Sequence, residues 1–95
     1  TAWHGPPDTS PIGMAVQAHM DLAIWNFGIQ EQYHFSDKLR QVFPGSLVVK
    51  DGYMYVNDVP GIGVDIDEKE AAKFPISNNA GNWTLRKRDG TIIRP

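Results

Sequence analysis

The spacing of apolar and polar residues changes along this chain. Thr1 to Trp3 carry the end of a strand-like run. HGPPDTSP follows, with one glycine and three prolines, and predicts a loop because these residues cannot continue regular structure. Ser10 before Pro11 predicts a helix start: a capping hydroxyl, then proline at the first helical position, where no N–H is needed. From Pro11 to about Ile24 the spacing is helical. Ile12, Ala15, Val16, His19, Leu22 and Ala23 share one face, and Gln17 and Asp21 share the opposite one. So few polar positions predict a helix covered on most sides. Phe27 to Gln30 has no helical period and reads as a short buried strand, with Glu31 at its carboxyl end. Strand, loop, helix, strand is the unit that builds parallel sheets.

From Gln32 the pattern differs. Ser36 predicts the cap of one short helical turn, SDKLRQVF, stopped by Pro44–Gly45. SLVVKDGYMYV holds two β-rich runs joined by Asp51–Gly52, which tolerate the positive φ of a type I′ hairpin turn. VPGIGVDID is a glycine-proline loop. Asp65 or Asp67 then caps a short helix, DEKEAAKF, with Glu68 or Glu70 as partner in a capping box. Ser77 to Asn82 reads as loop, and WTLRKRDGTIIR as a second hairpin turning at Asp89–Gly90. The change of pattern divides the chain into 1–35 and 36–95. Two parallel strands and one nearly all-apolar helix cannot bury their own faces, so this architecture needs neighbours.

Composition narrows the function classes. A chain of 95 residues, 41% hydrophobic and 21% charged, is ordinary for a globular protein. The formal net charge is −2. There is thus no basic footprint for nucleic acid and no polybasic patch for a membrane surface. With no cysteine, disulfides and thiolate metal sites are excluded, and a reducing, cytoplasmic location is expected. No run is long and apolar enough to span a bilayer. The start TAWHGP, with no initiator methionine, leads us to expect a processed chain or the C-terminal piece of a longer one.

Three side chains carry candidate chemistry. His4 sits at a strand–loop junction, where α/β proteins place ligand contacts. Its ring suits proton transfer or hydroxyl binding, and equally suits bonding to loop backbone. Asp8 can accept hydrogen bonds from a polyol, or pair with Thr9 or Ser10 near the helix N-terminus. Glu31 ends the second strand as His4 ends the first, so parallel strands would point both over one edge. His19, on the apolar helix face, reads as a core histidine bonded to backbone, and His34 as part of a loop cluster with Tyr33 and Phe35. GIGVDID lacks the G-x-G-x-x-G spacing and a lysine, so it reads as a turn. RKR at 86–88 reads as a solvated hairpin tip. No nucleophile motif is present.

The segments TAWHGPPDTSPIGMAVQAHMDLAIWNFGIQE, VFPG, DGYMYV, PGIGVDID, AAKFP and RDGTI resemble the C-terminal end of the mannonate dehydratase and starvation-sensing subgroup of the enolase superfamily. The resemblance covers essentially the whole chain. It implies an α/β fold: the last two strands and a helix of a (β/α)8-type barrel in residues 1–35, then a hairpin-containing segment, 36–95, that packs on an α+β capping domain. It implies a Mg²⁺-dependent sugar-acid dehydratase. The ion's ligands and the main proton-transferring residues would lie upstream, so no catalytic or metal residue is expected in this segment. What carries over is substrate binding by His4, Asp8 and Glu31. The implied partners are a small-molecule sugar acid, the rest of the barrel and capping domain, and a second copy in a homo-oligomer. Pro7 and the TIIRP ending depart from the subgroup's pattern. They motivate an alternative, a sugar-acid-binding or regulatory protein on the same scaffold with little or no catalysis. A free-standing α+β domain is the remaining alternative, and it leaves the helix uncovered.

Overall fold

A computed structural model describes residues 1–76 and 85–93. Its first unit is β1 (Ala2–Trp3), α1 (Pro11–Ala23) and β2 (Ile29–Gln30). β1 and β2 pair in parallel, with Ala2 opposite Ile29 and Trp3 opposite Gln30. Ser10 caps α1, its hydroxyl accepting from Gly13 N–H at 3.1 Å, and Pro11 opens the helix as expected. Ile24 turns extended and ends it. In the next unit α2 is the short helix Asp37–Val42, capped by Ser36, and β3 (Val48–Lys50) pairs antiparallel with β4 (Tyr53–Tyr55). Asp51 (φ 52°) and Gly52 (φ 80°) both take the left-handed backbone that a two-residue I′ turn requires. Asp67 caps α3 (Glu68–Ala71), accepting from Lys69 N–H and Glu70 N–H. The reciprocal half of a capping box is missing, because the Asp67 N–H is already committed to Val42 O at 2.8 Å.

The last elements are β5 (Leu85–Arg86) and β6 (Ile92–Ile93), paired antiparallel. This hairpin has a wider loop than the first. Gly90 N–H donates to Lys87 O, Lys87 N–H donates to Thr91 O, and Gly90 has φ 86°. Asp89 is not among the positive-φ residues, so the second Asp–Gly pair turns through one left-handed residue where the first uses two. The expected loop from Ser77 to Asn82 lies outside the described residues.

One core joins the two parts of the chain. Met14, Ala15 and Ala18 of α1 pack with Phe35 and Leu47, and Leu39, Met54, Val56 and Val64 close around them. This corrects the face assigned to α1. Pro11, Met14, Ala15 and Ala18 point inward, whereas Val16, Met20 and Leu22 remain exposed. Gln17 and Asp21 flank the buried stripe and face the sheet. The second strand is also shorter than expected and is not buried, with Phe27 47% and Ile29 67% exposed. The cause is alternation along a strand. α1 covers the face that carries Trp3 and Gln30, so Phe27 and Ile29 belong to the uncovered face. Among the described residues no helix is long and apolar enough to cross a membrane.

Candidate functional site at the strand ends

The register of β1 and β2 dictates what meets at their carboxyl ends. Trp3 is opposite Gln30, so the next pair is His4 and Glu31. Both side chains leave the sheet on the face away from α1. His4 Nε2 lies 3.5 Å from Glu31 Oε2, with the two side chains 80% and 58% exposed. Glu31 is held at both ends of the residue. Its N–H donates to Trp3 O at 3.0 Å, and its Oε2 accepts from Gly5 N–H at 2.9 Å.

Gly5 makes this geometry possible. It is buried, and a Cβ built on it would lie 2.0 Å from Glu31 O and 2.7 Å from Met14 Cε. Only glycine lets the chain turn under β2 and offer its N–H to the carboxylate. Sequence reasoning did not assign Gly5 a role. The available signal was a glycine directly after the strand-end histidine.

Asp8 stands apart from the pair. It lies in a turn closed by Thr9 N–H donating to Pro6 O at 3.0 Å. It is exposed, and among the described residues no hydrogen bond engages its carboxylate, neither from Thr9 nor from Ser10. The structure therefore brings His4 and Glu31 together, and leaves Asp8 free on the adjoining loop. His19 does what a backbone-bonded histidine should, with Nε2 3.1 Å from Ile62 O. His34 is exposed beside the buried Phe35, and Lys87 and Arg88 are exposed at the second hairpin's tip.

Chemically, the edge presents a carboxylate with one of its two oxygens free of protein donors and an imidazole able to donate or accept. That set recognises hydroxyl groups, each of which brings one donor and two lone pairs. It does not make a metal centre. Among the described residues no three His, Asp or Glu side chains converge closely enough to hold an ion. A cleft of about 400 Å³ lies elsewhere, between α1, β2 and the first hairpin, lined largely by apolar residues such as Phe27, Ile29, Val49 and Met54. Asp21, Gln30 and Gln32 also line this cleft, whereas the strand edge pairs an exposed imidazole with an exposed carboxylate.

Comparison with known proteins bears on this edge. A family model described as enolase C-terminal domain-like matches residues 1–70. A protein of Enterocloster bolteae named as a D-galactonate dehydratase family member is 55% identical over the whole chain. Another, the family member RspA of Pantoea ananatis, is 54% identical. The chain spans about a quarter of their length, 24% and 23%. The crystal structure of an enolase from Pantoea ananatis with bound D-gluconate and Mg superposes with a TM-score of 0.83 at 53% identity, covering all of this chain and 23% of that one.

Proposed function

The chain belongs to the enolase C-terminal domain-like family, and from that membership we propose that it supplies the substrate-binding strand ends of a Mg²⁺-dependent sugar-acid dehydratase. The approach of His4 Nε2 to Glu31 Oε2, 3.5 Å on the open face of two parallel strand ends, carries this reading. Barrel enzymes of this kind build their sites at that end of the strands. In the proposal β1 and β2 are the last two strands of the barrel. Residues 36–95 return toward the capping domain, and the assembled protein works as a cytoplasmic homo-oligomer. The finer assignment is the mannonate dehydratase subgroup. The names of the relatives and the ligand of the solved structure are consistent with a C6 aldonate as the substrate class.

His4, Asp8 and Glu31 do not fit a magnesium site, because the ion takes near-octahedral oxygen ligands and Asp8 stands apart from the other two. The role of these residues is to hold and orient the sugar chain. Glu31 accepts from one hydroxyl while Gly5 N–H fixes its other oxygen. His4 donates to or accepts from the neighbouring hydroxyl, and Asp8 closes over the chain from the loop. Each hydroxyl taken from water must find such a partner, or its desolvation counts against binding.

The test is calorimetric titration of the full-length protein with D-gluconate and D-galactonate in the presence of Mg²⁺, alongside an assay for the 2-keto-3-deoxy acid formed by loss of water. Glu31→Gln is expected to raise Kd about tenfold, the loss of one hydrogen bond to a charged group. An unchanged Kd would remove Glu31 from the site. Tight binding of these acids without turnover of any aldonate would favour the binding-protein alternative.

A further inference from the structure

Gln17 and Asp21 are left over by this function. They stand four residues apart on α1, a spacing that places them on one stripe of the helix. Both side chains reach the sheet. Asp21 Oδ1 accepts from the Trp3 indole Nε1 at 2.7 Å. Gln17 Oε1 accepts from Gln30 Nε2 at 3.2 Å, and Gln17 Nε2 donates to His4 O at 3.4 Å. Trp3 and Gln30 are a register pair, and they are the residues immediately before His4 and Glu31. α1 thus grips each strand one residue ahead of a site side chain.

The ladder itself is short. Each strand has two residues, and beyond the ladder between the two register pairs the strands are tied by Gly28 and Ile29 N–H to Thr1 O and by Glu31 N–H to Trp3 O. So small a ladder leaves the separation of the strand ends sensitive to what packs on its covered face. That face meets the Asp21 carboxylate through a short charge-assisted bond and the Gln17 amide through longer ones.

We propose that Gln17 and Asp21 are positioning residues that set the spacing between His4 and Glu31, and thereby select the hydroxyl configuration that fits between them. The inference rests on the reading of His4 and Glu31 as sugar-acid contacts. Asp21 has the larger share, through the shorter bond, and Gln17 links both strand ends at once.

Selectivity is the readout, because a merely structural role would not move it. D-Gluconate and D-galactonate are epimers, so the ratio of their affinities for the full-length protein reports how the site reads hydroxyl configuration. Asp21→Leu and Gln17→Met are each expected to weaken binding about fivefold and to shift that ratio about threefold. Asp21→Asn keeps an acceptor for the indole and is expected to hold the ratio at its wild-type value. Should Asp21→Leu fail to fold, Gln17→Met and Asp21→Asn still decide the matter. An unchanged ratio in Gln17→Met, with or without a lower melting temperature, overturns the proposal. Glu31→Gln is run in parallel. If it leaves both affinities intact, the underlying site and this inference fall together. If it weakens binding while the α1 variants leave the ratio fixed, this inference alone falls.

Discussion

The loops WHGPPD and VPGIGVDID are made of the same materials, glycine, proline and acid, yet they handle their acids in opposite ways. In the second loop every carboxylate from Asp65 to Asp67 is committed to backbone. Asp65 accepts from Ile66 N–H at 2.8 Å, and Asp67 accepts from Lys69 N–H and Glu70 N–H. Asn57 completes that loop, donating to Gly45 O and Gly63 O and accepting from Val59 N–H. At the strand ends Glu31 likewise has one oxygen on a backbone donor, but Asp8, the acid of the loop itself, has none among the described residues. Polar groups with free hydrogen-bonding capacity can bind a ligand, whereas groups already satisfied by their own chain hold a loop in shape. This difference is why the proposal puts the ligand at the strand ends and treats the glycine-rich loop as scaffold.

The strongest challenge to that contrast is to place a methyl group in each loop. A Cβ on Gly63 would lie 2.2 Å from Asn57 Oδ1, on a residue at φ 74°. A Cβ on Gly5 would lie 2.0 Å from Glu31 O. Gly63→Ala and Gly5→Ala are each expected to lose about 3 kcal/mol of stability, from crowding and, at Gly63, left-handed strain. Their effects on ligand should diverge. Gly5→Ala displaces the N–H that aims Glu31, so D-gluconate affinity falls with stability. Gly63→Ala leaves affinity unchanged at temperatures where the protein stays folded. Equal losses of affinity in the two variants would break the distinction.

A milder probe removes the Asn57 side chain. Asn57→Ala deletes three hydrogen bonds at an exposed position, and a cost of about 1.5 kcal/mol is expected. Amide exchange should quicken at Val59, which donates to Asn57, and at Asp65, whose N–H bonds Pro44 O across the same loop. The variant also removes the atom that Gly63→Ala would strike. The double variant should therefore lose less than the sum of the two single losses. Full additivity would mean that Asn57 does not hold the glycine in place.

How much of this could be read in advance depends on how far apart the partners lie. Ser10–Pro11 and Asp51–Gly52 declare a helix start and a hairpin turn because cap and turn are settled within four residues. The convergence of His4 and Glu31 followed from one further assumption, that the two strands run parallel. The inward face of α1 could not be read from periodicity. Gln17 and Asp21 look like a solvated stripe until the Trp3 indole and the Gln30 amide, 18 and 13 residues away, supply their partners. Equally, Val16 and Leu22 read as core, yet the described residues leave them exposed. The Asn57 clasp had no local signal, since its carbonyl partners sit on glycines 12 and 6 residues distant. Gly5 was visible only as a turn residue, because its role depends on the backbone of Glu31 passing beside it.

The smallest expected effect tests the rule itself, that an acid committed to backbone differs from a free one. Asp89 is fully solvent-exposed, and its Oδ1 accepts from Thr91 N–H at 2.9 Å. Hydrogen bonding to Thr91 holds its carboxyl below the usual aspartate value. A depressed folded-state pKa gives stability that is present above the unfolded value, about 3.9, and lost as pH falls through the folded one. The second hairpin should accordingly be unaffected between pH 7 and 5 and should loosen only in more acidic solution. Carboxyl chemical shifts followed by NMR should show Asp89 titrating below the ordinary aspartate range, with the Thr91 amide moving in step. High salt should change little, because a bond to a neutral N–H is local and is not an ion pair. An Asp89 midpoint at the ordinary value, with a Thr91 amide indifferent to pH, would show that backbone commitment in an exposed loop is too weak to set an acid apart.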